Sequence, residues 1–347
     1  MFPHAGMVPI GLSVRIPLLI RLDAMNYHKL WGNAGVFVLL LLASGAGAMG
    51  LVTERSTLLC ESSLPEVQPP AKAPMAAQKR IPGSQVAKGQ LDIAWAWLGS
   101  PTRRYPHGAL GSAVHAASLH VVAETPLRAN GPLKVLSVEL PLTRVFEDRL
   151  VRLADLDGDG KEEIIVVESD AFQGSSVVVY GLRSTPTGAG GKSRSQTRLV
   201  ELARSPAAGS TFRWLNPVGM ADFDGDGKMD IASVTTPHIG GVLTLYHYTP
   251  PELVPFAKAM DVSNHKMGAL EQSLASIVNV PGHRPTIIVP DTTLTALHAL
   301  RWEGPGQWKE LADAKPLQAQ VERIAPLPDG ACITLVDTSV WRVRLTQ

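Results

Sequence analysis

The sequence predicts an all-β chain: a β-propeller of about five blades, behind a targeting segment and a linker. Three observations lead there. The stretch DLDGDGKEEI at residues 155–164 returns as DFDGDGKMDI at 222–231. From about Leu91 onward the chain is a series of short apolar runs divided by Gly, Pro, Asp and Asn, with almost no helical periodicity. Last, 31 glycines and 27 prolines among 347 residues suit many turns between short strands better than they suit helices.

Composition sets the outer bounds. A hydrophobic fraction of 45% and a charged fraction of 18% are enough to bury a core in one large or two ordinary domains. Lysine plus arginine (32) nearly cancel aspartate plus glutamate (31), which leaves no large basic field to attract phosphates and argues against nucleic acid as a partner.

The chain opens on a targeting segment, residues 1–48. From Met25 it has a basic Lys29, an apolar run from Val36 to Ala43, and small residues ending in Ala46-Gly47-Ala48. That is the layout of a secretory signal cleaved after Ala48, with the true start at Met25. The alternative is an uncleaved anchor over residues 35–52, the one case in which the chain would meet a membrane. Leu59 before Cys60 is too large for a lipoprotein cleavage site. Residues 49–87, rich in proline and alanine, read as a linker, and 88–347 as the propeller. Export would allow Cys60 and Cys332 to pair, although nothing in the sequence requires it.

Strand-like segments then follow one another: LHVVAE at 119, LKVLSVEL at 133, EIIVVES at 163, SVVVYGL at 176, DIASVTT at 230, VLTLYHY at 242, TIIVPD at 286, ITLVD at 333 and WRVRL at 341. GALEQSLASI, residues 268–277, suits either a helix or the approach to a strand. The two acidic stretches lie 67 residues apart, and the same offset aligns Ile164 with Ile231, Val167 with Val234 and Gly174 with Gly241. The repeat therefore includes the flanking strands. Weaker copies keep strand, turn and strand without the acids. With Leu119, Ile164, Ile231, Ile287 and Ile333 as anchors, the steps are 45, 67, 56 and 46 residues, the size of one four-stranded blade. A β-sandwich or an open array is the alternative architecture.

The chemistry lies in the acidic loops. Asp155, Asp157 and Asp159 alternate in the first loop, with Glu163 following; Asp222, Asp224 and Asp226 alternate in the second, followed by Asp230. Carboxylates at alternate positions of a glycine-bent loop point at a common centre, where two charges about 4 Å apart repel by roughly 4 kcal/mol at an effective dielectric near 20. A calcium ion relieves this. It takes six to eight oxygens in flexible geometry, so Lys161 and Lys228 would add backbone carbonyls while their side chains face solvent. The longer Glu163 predicts a weaker first site. An EF-hand is excluded, because Val166 and Ser233 stand where its glutamate belongs and β-formers follow each loop. Asp and Gly are also ordinary turn formers, but two copies of D-x-D-G-D-G-K-x-[DE]-I in register exceed what turn preference explains.

These loops resemble the calcium loops of FG-GAP/VCBS repeats, the blade units of integrin-type propellers, strongly over 154–182 and 221–248. YPHGALG, VFEDRLVRLADLDGDG, FRWLNPVGMADFDGDG and VSNHKMG are similar to stretches of small exported bacterial VCBS-repeat proteins. The resemblance implies a propeller with calcium held in blade loops and says little about activity.

GAGGKS at 188–193 fails the phosphate-loop pattern at Pro186 and reads as a hairpin insertion. His107, His238 and His265 sit in related turns that would converge near one propeller face or its channel, or act as separate packing residues. No nucleophile elbow occurs. Trp95, Trp97, Trp214, Trp302, Trp308 and Trp341 are expected to pack between blades, with a sugar platform as the alternative. The expectation is an exported, periplasmic or secreted, non-catalytic calcium-binding module for a protein or glycan. Its rivals are a cell-envelope hydrolase or lyase with a site near the histidines, and a membrane-tethered assembly factor.

Overall fold

The computed structural model describes residues 50–57, 60, 80–124, 135–187, 194–311 and 315–346. Every named element in it is a strand, so the predicted all-β class holds. The strands pair as consecutive antiparallel meanders. In the second, the interrupted strand Arg144–Phe146 and Arg152–Ala154 is followed by Glu163–Asp170, Gly174–Thr187 and Arg194–Arg204. The third runs Leu215–Ala221, Asp230–Thr235, Val242–Thr249, Glu252–Met260. The fourth runs Ser276–Val278, Thr286–Pro290, Ala296–Gly304, Gln307–Glu310. Among the described residues, hydrogen bonding groups the meanders into one 13-stranded, one five-stranded and one four-stranded sheet, with no ladder joining the three into a ring.

The four-stranded sheet is assembled from both parts of the chain. Val321–Leu327, Gly330–Leu335 and Val340–Thr346 take as their fourth strand Gly50–Ser56, in register from Gly50 opposite Thr346 to Ser56 opposite Val340. Sequence texture assigned these seven residues to the linker. They form a strand because LVTE alternates, with Leu51 buried in the apolar cluster of this sheet and Val52 exposed. Four residues beyond Ser56, Cys60 forms a disulfide with Cys332 in the middle of the same sheet.

The repeat is visible in the core. Ile164, Ile231, Ile287 and Ile333 are all fully buried in the second strand of their meanders. Leu119 is the exception: it lies in the third strand of the first meander, His115–Ala123, whose second strand is Ile93–Thr102. That copy therefore starts earlier, with Ala87–Lys88 followed by the acid-poor turn GQLD. Gly174 and Gly241 are equivalent for a steric reason. A Cβ on Gly174 would meet Ser210 O at 2.4 Å, and one on Gly241 would meet Val262 O at 1.8 Å, so each glycine lets the link to the next meander pass. GALEQSLASI forms no helix: it leaves a turn at Gly268, runs irregularly and ends in the strand Ser276–Val278. Gln272 is tied to distant segments: its carbonyl accepts from Asn216 Nδ2 at 2.6 Å, and its side-chain amide accepts from Arg149 N–H at 2.9 Å and donates to the Asp148 carboxylate.

Candidate metal centre

Each acidic loop joins the first and second strands of its meander, Ala154 to Glu163 and Ala221 to Asp230. The residue after the first aspartate fixes the loop to the core, since Leu156 and Phe223 are both 1% exposed. Glycines with left-handed φ then reverse the chain twice: Gly158 at 75° and Gly160 at 81°, Gly225 at 78° and Gly227 at 87°. As a result Asp155, Asp157 and Asp159 bring carboxylate oxygens within 4.8 Å of one another, and so do Asp222, Asp224 and Asp226.

Backbone donors organise the triads in parallel. Asp155 accepts from Gly158 N–H at 2.8 Å and Gly160 N–H at 2.9 Å; Asp222 accepts from Gly225 N–H at 2.7 Å and Gly227 N–H at 3.0 Å. Asp159 and Asp226 accept from the N–H of Lys161 and Lys228. The Lys161 side chain is exposed, as expected, and its ammonium lies 2.8 Å from Asp159 Oδ2, holding that carboxyl below its usual range. Lys228 is exposed, as expected.

Three of the predicted ligands in each loop thus come together. The last acid of each set sits beneath them. Glu163 Oε2 accepts from Leu156 N–H at 3.0 Å and Asp230 Oδ2 from Phe223 N–H at 3.1 Å, closing each loop at its base. Burial pushes Glu163 up to about 7, with Asp157 adding to the shift. Burial likewise raises Asp230 to about 6, against the opposing hydrogen bond from His247 Nδ1 at 3.0 Å. The residues fit a hard cation: carboxylates crowded around one point, above buried acids held above their normal range.

Three contributors escaped the motif. His247, from the third strand of its meander, faces Asp230 and lies 3.9 Å from Asp224. Arg183 stands 3.8 Å from the otherwise unpartnered Glu163 Oε1. Glu162 is buried and accepts from Gln90 and Leu91 N–H of the preceding meander, while the equivalent Met229 donates its N–H to Leu156 O. This position links neighbouring repeats in both copies. The motif leaves it unspecified because one link uses the side chain and the other only backbone.

Two of the three histidines meet. His265 Nε2 donates to Ala269 O at 3.1 Å, so its Nδ1 is the acceptor for His238 Nε2–H at 2.8 Å. Both pack on the Trp214 indole, which lies parallel to His238. Burial lowers each imidazole to about 4. His107 stands apart from that pair and donates from Nδ1 to buried Glu147 at 2.6 Å, and Glu147 also accepts the Ser169 hydroxyl at 2.5 Å. Trp214 Nε1–H reaches Glu147 O, connecting the two groups. GAGGKS lies outside the described residues.

With this geometry in place, residues 155–233 match the family model of the FG-GAP-like repeat. The chain carries an FG-GAP-type repeat. The match spans both acidic loops and the strands between them, the part of the sequence in which the repeat is strongest. A search of curated proteins returned no match. An FG-GAP repeat points to a propeller-type binding or scaffold module, and the Cys60–Cys332 disulfide fits an oxidising compartment.

Proposed function

We propose that this FG-GAP protein is an exported, calcium-stabilised and non-catalytic module that binds a protein or a glycan. One observation carries the reading: two carboxylate triads stand at equivalent positions of two repeats, each on a glycine-bent loop closed by a buried acid. A cation there would neutralise the triad and draw Glu163 and Asp230 back toward ionisation. At ten times its dissociation constant it would add about 1.4 kcal/mol per site. Export with cleavage after Ala48 is supported by Gly50–Ser56, because the anchor reading would take Gly50 to Val52 from their strand.

The deciding experiment is thermal unfolding of the chain from Met49 with calcium and with chelator, alongside Asp157→Asn and Asp224→Asn. An upward shift with calcium, reduced in each variant, is expected; equal curves in all samples would remove the basis of the proposal. The paired histidines favour the enzyme as second reading. Against it stands Ser169, whose hydroxyl proton is given to Glu147 and not to an imidazole. Turnover on a polysaccharide and ester panel that disappears when His107, His238 and His265 are replaced would establish the enzyme.

A further inference from the structure

Three large apolar side chains stand far into solvent on adjoining turns: Leu142 at 83% exposed, Phe172 at 74% and Phe212 at 45%. Hydrogen bonds join the turns into one platform. Ala171 N–H donates to Thr143 O and Gly209 N–H to Gln173 O, both at 2.9 Å, and the Thr211 hydroxyl donates to Ala171 O. The Arg104 guanidinium braces it by donating to the carbonyls of Leu140 and Arg144. Phe212 holds a left-handed φ of 62°, a costly conformation for a bulky residue. Tyr105 keeps it there: its hydroxyl accepts Phe212 N–H at 2.9 Å, and the two rings meet edge-on at 5.2 Å. The ring also stacks on His107 at 5.2 Å, so the strained backbone holds a phenyl group packed on one side and open to water on the other.

Two cations lie next in sequence to platform residues, Arg103 before the bracing Arg104 and Arg213 after Phe212. Arg103 is exposed and Arg213 half-buried, and neither has a carboxylate partner among the described residues. The adjacent acid, Asp170, is already engaged by Arg144 and by the N–H groups of Phe172 and Gln173.

We infer that this platform docks on an anionic lipid bilayer, with Leu142, Phe172 and Phe212 entering the interface and Arg103 and Arg213 meeting headgroup phosphates. Shape selects this occupant. The three side chains project from turn tips, and among the described residues none lines the clefts at Lys266–Glu271, at Pro206–Ala208 or beside Glu168 and Asp170. Their apolar area, on the order of 300–400 Å², is well below the roughly 800 Å² per side of a stable protein interface. A bilayer closes around separate projections, whereas a folded partner would need a pocket for each. The first acidic loop lies at the other end of strand Glu163–Asp170, about 25 Å away at strand rise, so docking leaves it in water.

Residues Ala46–Gln347 form a compact unit, so the chain from Met49 is suitable for the test. It is floated in chelator, to prevent calcium bridging, with phosphatidylethanolamine vesicles carrying about one-third phosphatidylglycerol, and with pure phosphatidylcholine. The expected result is flotation with the anionic vesicles. Binding falls about tenfold in Leu142→Ser/Phe172→Ser and several-fold in Arg103→Gln/Arg213→Gln, with unchanged melting temperatures. Equal flotation of wild type and the apolar double variant overturns the inference, as does absence of binding to anionic vesicles. Self-association that the apolar variant abolishes would overturn it too, and would reassign the platform to a protein contact. Because calcium is absent, the outcome is independent of the metal sites.

Discussion

Replacing Cys60 and Cys332 by alanine opens a cross-link between residues 272 apart in sequence. In the chain-entropy model, closing a loop of that length removes roughly 19 cal/mol/K from the unfolded chain, about 5–6 kcal/mol at 25 °C. The figure is an upper bound for the measured effect. It is nevertheless comparable to the whole stability of an ordinary domain. Alanine suits Cys332, which is buried in a small apolar cluster with Ala325 and Val340, where a serine hydroxyl would be left unpaired. The assay is urea unfolding of the oxidised wild type, the reduced wild type and the double variant. Reduced protein and variant should share a midpoint well below that of the oxidised chain. Their urea dependence should also be steeper, because an unfolded chain freed of the cross-link exposes more surface. Coincident midpoints for all three would refute the reasoning. A lowered midpoint in the variant alone would assign the loss to native packing and not to the closed loop.

Four further outcomes are expected. Ile231→Ala removes a fully buried side chain from the core beside the second acidic loop and should cost about 2–5 kcal/mol in denaturant unfolding. Gly241→Ala should destabilise strongly, because its Cβ would overlap Val262 O; a neutral melting temperature would show that the link can move. Glu162→Ala strands the N–H groups of Gln90 and Leu91 and should cost about 1–3 kcal/mol, with hydrogen exchange accelerating at those two amides. His265 is held neutral, at about 4 against 6.5 unfolded, so its contribution is complete above pH 6.5 and is lost as pH falls toward 4, by about 3 kcal/mol at most. Glu163 and Asp230, raised in the metal-free chain, act in the opposite direction. The readout is therefore the difference between wild type and His265→Gln across pH 7 to 4.5, and a constant difference would count against the buried neutral imidazole.

The acidic loops were legible because their chemistry is local: alternating acids, glycines at the reversals, and a buried aliphatic or aromatic second residue all lie within ten positions. Strand content was legible for the same reason. What sequence reasoning missed comes from contacts between distant segments. Gly50–Ser56 looks like linker until Val340–Thr346 is beside it, and Glu162 looks like filler until Gln90 is in reach. Leu119 took the place of an anchor because its strand is as apolar as the one that precedes it, and periodicity cannot rank two such strands. The His238–His265 contact joins turns 27 residues apart, and no spacing rule anticipates it.

The strand that completes the last sheet also sets a timetable. Gly50–Ser56 is among the earliest parts of the compact unit to be synthesised, and its partner Val340–Thr346 is among the last. Every intermediate length of the nascent chain therefore leaves an edge of that sheet unpaired and open to wrong partners. A product truncated before Val340 can never acquire this pairing. Completion of synthesis and completion of the fold coincide in one seven-residue ladder, which makes that ladder a natural point at which a protease would distinguish finished molecules from fragments.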